Sequence, residues 1–246
     1  MEFQYQLQTG RLIRRYKRFL ADVALPSGQV LTVHCPNSGS MRGCMTPGSA
    51  VMISRAENPR RKYPYTLEMI HTDGTWVGIN TSRTNLLVRE ALLAGLIEEI
   101  GPVENIEAEV RVSARSRLDF LLSQGEHRTY VEVKNCTLVE DRWAMFPDAV
   151  TSRGTKHLQE LLALREAGHR AAVLFCVQRT DAEAFRPAAH IDPLYAATLQ
   201  QVNNRGVLVL AYQAEVTPKR IGIVKSLPVR LHSDSTDERP AAEAGR

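Results

Sequence analysis

Long apolar runs are missing from this chain of 246 residues; none approaches the roughly 20 residues that a membrane-spanning helix requires, so a helical membrane protein is excluded. The N-terminus also lacks the apolar centre of a signal peptide, and the expected location is the cytoplasm. Cysteine is scarce and scattered. Cys35, Cys44, Cys136 and Cys176 form no Cys-x-x-Cys pair, which removes the zinc-cluster and disulfide-scaffold classes and leaves four reduced thiols in packed strands. Internal repeats are absent, and the formal net charge is only +4. With 43% hydrophobic and 24% charged residues, the chain has the composition of a soluble protein able to bury a sizeable core, and its length suits two domains better than one.

The charge is unevenly placed. Residues 1–80 hold ten Lys/Arg against five Asp/Glu, whereas the remainder holds 21 against 22, so the whole basic excess lies in the first third. A polyanion-binding module joined to a near-neutral one is the simplest interpretation; a solubility surplus without a ligand is the alternative. Short strand-like runs fill that third: Gly10 to Val23, Gln29 to His34, Ala50 to Ser54, Tyr65 to Ile70 and Thr75 to Ile79, separated by turn residues. About five short strands in so few residues predict a small barrel of the OB type. Cations alternate with rings at Arg14, Arg15, Tyr16, Lys17, Arg18 and Phe19 and again at Arg60, Arg61, Lys62 and Tyr63. Guanidinium and ammonium groups track phosphates while rings stack on bases, so the expected partner is DNA, single- or double-stranded, unless the cluster is simply solvated barrel surface. Between strands, His34 to Gly43 reads as a loop whose backbone N–H groups around Gly39, with Ser38, Ser40 and Arg42, would cradle a phosphate; a structural turn is the level alternative. Cys35 beside His34 is no nucleophile pair, because neighbours on a strand point to opposite faces.

Polar residues from Asn80 to Asn85 mark a boundary and supply a helix cap, dividing the chain into residues 1–82, residues 83–230 and a Ser/Asp/Glu/Ala/Pro-rich tail at residues 231–246, expected to be disordered. Leu86 to Glu99 has the apolar face of a helix and carries Glu90. Three strands follow, then a helix at Arg153 to Glu166, a fully apolar strand at Ala171 to Val177, a helix at Ile191 to Val202 and another buried strand at Val207 to Tyr212. That order predicts an α/β arrangement, α+β overall, in which a mixed sheet lies between helices.

Three of its charges stand where buried strands should have none. Asp119 lies in the apolar run Ser116 to Leu122, and Glu132 and Lys134 lie two apart in Tyr130 to Asn135, hence on one face. Carboxylates beside an ammonium in apolar strands are costly unless compensated, and the usual compensation is a divalent cation held by hard oxygens. The plainer reading is an edge hairpin with a solvated ion pair. The Asp…Glu-x-Lys pattern resembles the PD-(D/E)XK nuclease superfamily, a likeness that implies Mg²⁺ or Mn²⁺ on Asp119 and Glu132. Lys134 would then stabilise developing charge and position the attacking water. By the same resemblance Glu90 is a further metal or water ligand; a solvated glutamate on the helix rim is the alternative. Arg117 and Lys156 would contact the phosphate backbone, with His157 and Asp148 as weaker candidates.

Several longer strings carry a more specific likeness: His34-Cys35-Pro36-Asn37-Ser38-Gly39-Ser40-Met41, Glu57-Asn58-Pro59-Arg60-Arg61-Lys62-Tyr63, Val131-Glu132-Val133-Lys134-Asn135 and Phe146-Pro147-Asp148-Ala149-Val150-Thr151. With Ser116-Arg117-Leu118-Asp119-Phe120 and Lys156-His157-Leu158 they resemble the sugar fermentation stimulation protein family, SfsA, over about residues 3–229. The resemblance implies an OB-like barrel, a nuclease-like second domain, largely sequence-nonspecific DNA binding and a regulatory link to maltose metabolism. Two functions follow as alternatives: a divalent-metal-dependent nuclease, or a non-catalytic DNA-binding regulator whose pocket is vestigial. A sugar-responsive sensor is a third, prompted by the family name alone. The oligomeric state is not legible in the sequence.

Overall fold

Alternating burial curls the N-terminal strands into a closed barrel. β1 (Gln8–Tyr16), β2 (Leu20–Ala24), β3 (Val30–His34), β4 (Ala50–Arg55) and β5 (Tyr65–Thr72) pair in the order β3-β2-β1-β4-β5, and His34 of β3 meets Thr66 of β5 to close the sheet on itself. β6 (Thr75–Gly78) extends β5 through a tight turn. Leu12, Val23, Val33, Val51, Ile53, Leu67 and Val77 fill the interior. The expected OB-like barrel is thus the one found. The computed structural model describes residues 1–231 except Pro59 and Arg115; all but the first residue of the expected tail lies outside the described residues.

One run folds differently from its reading. Gly10 to Val23 is two strands, because the chain reverses at Lys17 and Arg18, whose φ angles are 50° and 63°. The connection is three residues, Lys17 to Phe19, between the paired Tyr16 and Leu20, and two of them are cations in the left-handed conformation with no glycine or asparagine to announce it.

Asn80 caps a single 3₁₀ turn, Thr81–Arg83, by accepting from Ser82 N, and α1 (Thr84–Leu93) follows directly. The helix is shorter than its apolar pattern, which runs on to Glu99; Gly95, at φ 69°, turns the chain away. β7 (Asn105–Ser113), β8 (Ser116–Gln124) and β9 (His127–Cys136) form an antiparallel meander, then β10 (Leu138–Glu140) and β11 (Trp143–Phe146) a short hairpin. Next come α2 (Ser152–Glu166), β12 (Arg170–Val177), β13 (Ala184–Pro187), α3 (Pro193–Asn204), β14 (Leu208–Val216) and β15 (Ile221–Ser226). The second large sheet has the order β15-β14-β12-β9-β8-β7, parallel through β9, β12 and β14 and antiparallel at both flanks, while β10, β11 and β13 make a small sheet of their own. The sequence reading omits β10, β11 and β13, which are only three or four residues long, and β15, whose apolar Ile221 to Val224 run it passes over.

Helices cover both faces, as the continuous burial of β12 requires. Leu87, Val88, Ala91 and Leu92 of α1 pack with Phe120, Val131, Val133 and Leu174, and Met69 of the barrel enters that same core. On the other face Leu158 and Leu161 of α2 and Tyr195 and Leu199 of α3 pack on Val173, Phe175 and Val177. Barrel and mixed sheet are fastened by polar bonds as well. Gly78 N donates to Gln178 O at 2.9 Å, Ser40 Oγ to Asp148 O at 2.7 Å and Met41 N to Asp148 Oδ2 at 2.8 Å. At Gly78 a Cβ would stand 2.2 Å from Gln178 Oε1, so any other residue there would force the buried Gln178 side chain to shift.

Candidate functional site

β8 and β9 stay paired as far as Phe120 opposite Val131 and then part. Asp119 stands at the opening, where its Oδ2 accepts the Val133 N–H at 2.7 Å in place of a ladder carbonyl. Its Oδ1 accepts from Asn85 Nδ2 at 2.8 Å, a bond delivered by the first turn of α1. Across from it, Glu132 and Lys134 share a face of β9 as strand alternation requires, and Lys134 Nζ lies 2.5 Å from Glu132 Oε1. The same oxygen is met by His157 Nδ1 from α2. Glu132 Oε2, by contrast, is buried with no hydrogen-bond partner, and so is Ser116 Oγ. Ser116, Asp119, Glu132 and His157 border a cleft of about 600 Å³ whose walls also include Glu109, Arg111, Arg117, Arg153 and Lys156, with Lys134 behind Glu132.

The two carboxylates sit in opposite electrostatic circumstances. For Asp119, burial and the nearby Glu132 charge raise the pKa, and the hydrogen bonds from Val133 and Asn85 and the charge of Lys134 offset them only in part. Burial also works to raise Glu132, but the hydrogen bond from His157 and the adjacent Lys134 prevail, and its pKa is lowered. Glu132 therefore keeps a negative charge while one of its oxygens goes unsatisfied. Leaving such an atom bare is expensive, and a hard divalent cation would relieve both that cost and the repulsion felt by Asp119. Among the described residues no three His, Cys, Asp or Glu side chains close into a ready-made cage. Two carboxylates nonetheless fit an ion such as Mg²⁺, which keeps several waters and takes the rest of its shell from substrate phosphate.

Asp119, Glu132, Lys134, Arg117 and Lys156 are thus brought together, but Glu90 is not. Its carboxylate takes the N-terminal ammonium of Met1 at 2.7 Å and is 45% exposed, so the expected third ligand is a surface ion-pair partner. Five positions after Asn85, it points well round the helix from the residue that does reach the site. The sequence marks Asn85 only as boundary polarity, and nothing in its local surroundings announces the bond to Asp119. Arg153 and His157 carry a readable signal, since residues four apart share a helix face with the cleft.

On the barrel, Arg15 is consumed by structure: its guanidinium donates to the carbonyls of Arg18, Asn37 and Gly39 at 2.8 Å each, and so holds the loop that contains Ser38 and Ser40. Ser40 is itself bonded to Asp148, so this loop is a joint between the two units. Arg14 pairs with Asp22 at 2.8 Å and stacks on the Tyr16 ring, and Arg42 lies 3.9 Å from Glu140. Lys17 and Arg18 project from the hairpin tip, Arg60 is exposed, Lys62 lies over Tyr63, and Arg61 donates to Thr66 Oγ1 at 3.2 Å. In the cleft wall, Arg117 lies 3.3 Å from Glu109 and Lys156 3.7 Å from Glu160.

The fold defines a class: an OB-like barrel fused to a mixed sheet whose central strands present an acidic cluster at a cationic cleft. Residues 13–79 match the family model of the SfsA N-terminal OB domain, and residues 82–220 that of the sugar fermentation stimulation protein RE domain. A sugar fermentation stimulation protein homolog of Desulfotalea psychrophila is 50% identical over 98% of this chain and 99% of its own length. The homolog of Pelobacter propionicus is 53% identical over 92% of this chain and 98% of its own. The chain belongs to the sugar fermentation stimulation protein family. Among solved structures, Pyrococcus furiosus SfsA in complex with Ca²⁺ superposes with a TM-score of 0.85 at 27% identity, covering 94% of this chain and 98% of that one. No helix among the described residues is long and apolar enough to cross a membrane.

Proposed function

We propose that this protein is a DNA-binding, divalent-metal-dependent phosphodiesterase of the PD-(D/E)XK kind, with little sequence preference. The observation that carries the reading is the bare, buried Oε2 of Glu132 beside Asp119, in a cleft bordered by Arg111, Arg117, Arg153 and Lys156. The Ca²⁺ complex of the Pyrococcus furiosus relative supports the cation part of it.

Asp119 and Glu132 would hold Mg²⁺ or Mn²⁺, which when bound supplies Lewis-acid activation of a water and of the phosphate. The chain's own groups do the rest. Asn85 and the Val133 N–H fix the Asp119 carboxylate, and Lys134, held against Glu132, sets a positive charge where phosphate oxygens gain negative charge. Arg117, Arg153 and Lys156 bind the flanking backbone without reading bases, which accounts for weak sequence preference. The exposed cations of the barrel, Lys17, Arg18, Arg60 and Lys62, would contact further phosphates.

Purified protein with Mn²⁺ or Mg²⁺ is expected to nick or degrade DNA, and Asp119→Asn or Lys134→Ala to abolish cutting while leaving binding intact. Absence of cleavage of single-stranded, duplex and branched DNA in either metal would refute the catalytic reading, and DNA binding that persisted would then assign a non-catalytic accessory role.

A further inference from the structure

Both oxygens of Glu132 are accounted for unequally, and the cause is a neighbour outside the Asp…Glu-x-Lys set. Oε1 carries two donors, Lys134 and His157, while Oε2 carries none. A buried carboxylate free to rotate about its last torsion would spread two donors over two oxygens. It is held otherwise because His157 approaches from α2, opposite the strand that bears Lys134, and pins Oε1 between them. His157 is only 4% exposed, and its position is set by Leu158 and Leu161 packing beside it into the core.

The tautomer is fixed as well. Arg153 Nε lies 3.4 Å from His157 Nε2, and a guanidinium can only donate, so Nε2 accepts and the proton given to Glu132 sits on Nδ1. Both ring nitrogens thus have protein partners, Nδ1 with Glu132 and Nε2 with Arg153, an arrangement that suits a positioning role.

We propose that His157, oriented by Arg153, is a positioning residue that locks Glu132 with Oε2 free of protein donors, so that this buried oxygen is left as a ready metal donor. The inference rests on the metal-dependent reading above and adds to it a residue that acts through Glu132. Outer-shell partners of metal-binding side chains commonly alter metal affinity by roughly 10- to 100-fold when removed.

The test is a Mn²⁺ titration of the full-length protein, with free ion followed by electron paramagnetic resonance, on wild type, Glu132→Gln, His157→Ala, His157→Asn and Arg153→Gln. His157→Ala is expected to weaken Mn²⁺ by roughly 10- to 100-fold. His157→Asn, whose amide nitrogen overlays Nδ1, should restore most of the affinity, and Arg153→Gln should fall between. In cleavage assays the half-saturating Mn²⁺ concentration should rise in His157→Ala while the rate at saturation stays near wild type; a merely structural role would lower that plateau and the metal-free melting temperature instead. Equal Mn²⁺ affinity in wild type and His157→Ala, with Glu132→Gln weakened, overturns the positioning role and leaves the metal site standing. Should His157→Ala fail to fold, unchanged affinity in Arg153→Gln together with no rescue in His157→Asn overturns it equally. Mn²⁺ binding that is absent, or indifferent to Glu132→Gln, overturns the metal-site reading and the positioning role with it.

Discussion

Glu68→Ala should destabilise the barrel and the mixed sheet together. Glu68 lies in β5 between Leu67 and Met69, only 1% exposed, and its carboxylate serves as a hub. Arg83 donates to it twice, at 2.6 and 2.8 Å, Ser54 Oγ once at 2.6 Å and Asn80 Nδ2 once at 2.9 Å. The backbone carbonyl of the same residue accepts from Ile79 N at 2.8 Å. Removing the carboxylate strands an Arg, an amide and a hydroxyl in a region closed to water. Breaking one side of a buried ion pair costs about 3–5 kcal/mol. Because Arg83 is 28% exposed and can turn partly outward, the lower end, about 3 kcal/mol, is expected. For a chain of this size that corresponds to a fall in melting temperature of roughly 6–12 °C. Trp76, on β6, packs where the barrel meets the α1 core and Trp143 lies in the small sheet of the second unit, so single-tryptophan variants followed in urea report two separate places. Both midpoints should fall by similar amounts, because Glu68 holds the segment on which α1 begins. A destabilisation under about 0.5 kcal/mol, the usual scale for an unimportant surface change, would refute the reasoning; so would a shift confined to the Trp76 signal.

Three further outcomes follow from the geometry. Arg15→Ala should lower stability by about 1–2 kcal/mol because its bonds to four carbonyls disappear, whereas Lys17→Gln with Arg18→Gln should leave the melt unchanged and reduce the salt dependence of DNA affinity by about one unit of slope for each phosphate no longer neutralised; equal melts for all three would refute the distinction. Asp119 has a raised pKa in the folded state, so its contribution to stability is present below the ordinary aspartate range and is lost as pH rises through the folded value; without metal, Asp119→Asn should therefore melt above wild type near neutral pH, with the difference vanishing in acid. The amide of Asn85 can reverse to accept from the new side chain, so no donor is stranded. Glu90→Gln should leave cleavage and its metal dependence untouched, and a large drop in activity would restore Glu90 to the site.

What is legible in the sequence and what is not divide along physical lines. Strand alternation alone places Glu132 and Lys134 on one face, and the periodicity of α2 places Lys156 on the rim, because both depend only on local geometry. Glu90 misleads because an apolar pattern locates the helix without settling its rotation about its own axis; a shift of five positions separates Asn85, which touches Asp119, from Glu90, which touches Met1. The hairpin tip at Lys17 and Arg18 is hidden because these residues carry no preference for the left-handed conformation they adopt. Arg15 is indistinguishable from its cationic neighbours, since what sets it apart is four carbonyls, the farthest 25 residues along the chain, that only folding gathers around it.

Those carbonyls bear on how the two units work together. The loop that Arg15 holds is the one whose Ser40 and Met41 grip Asp148, and Asp148 precedes by a few residues the cap of α2, from which Arg153, Lys156 and His157 face the cleft. On the other side, Glu68 of the barrel fastens Asn80 and Arg83, and the next turn of chain carries Asn85 to Asp119. The barrel therefore braces both helices that flank the carboxylate pair, α1 through Glu68 and α2 through Asp148. Fastening at both helices fixes the exposed barrel cations at a set distance from the cleft, an arrangement that a flexible linker would not give.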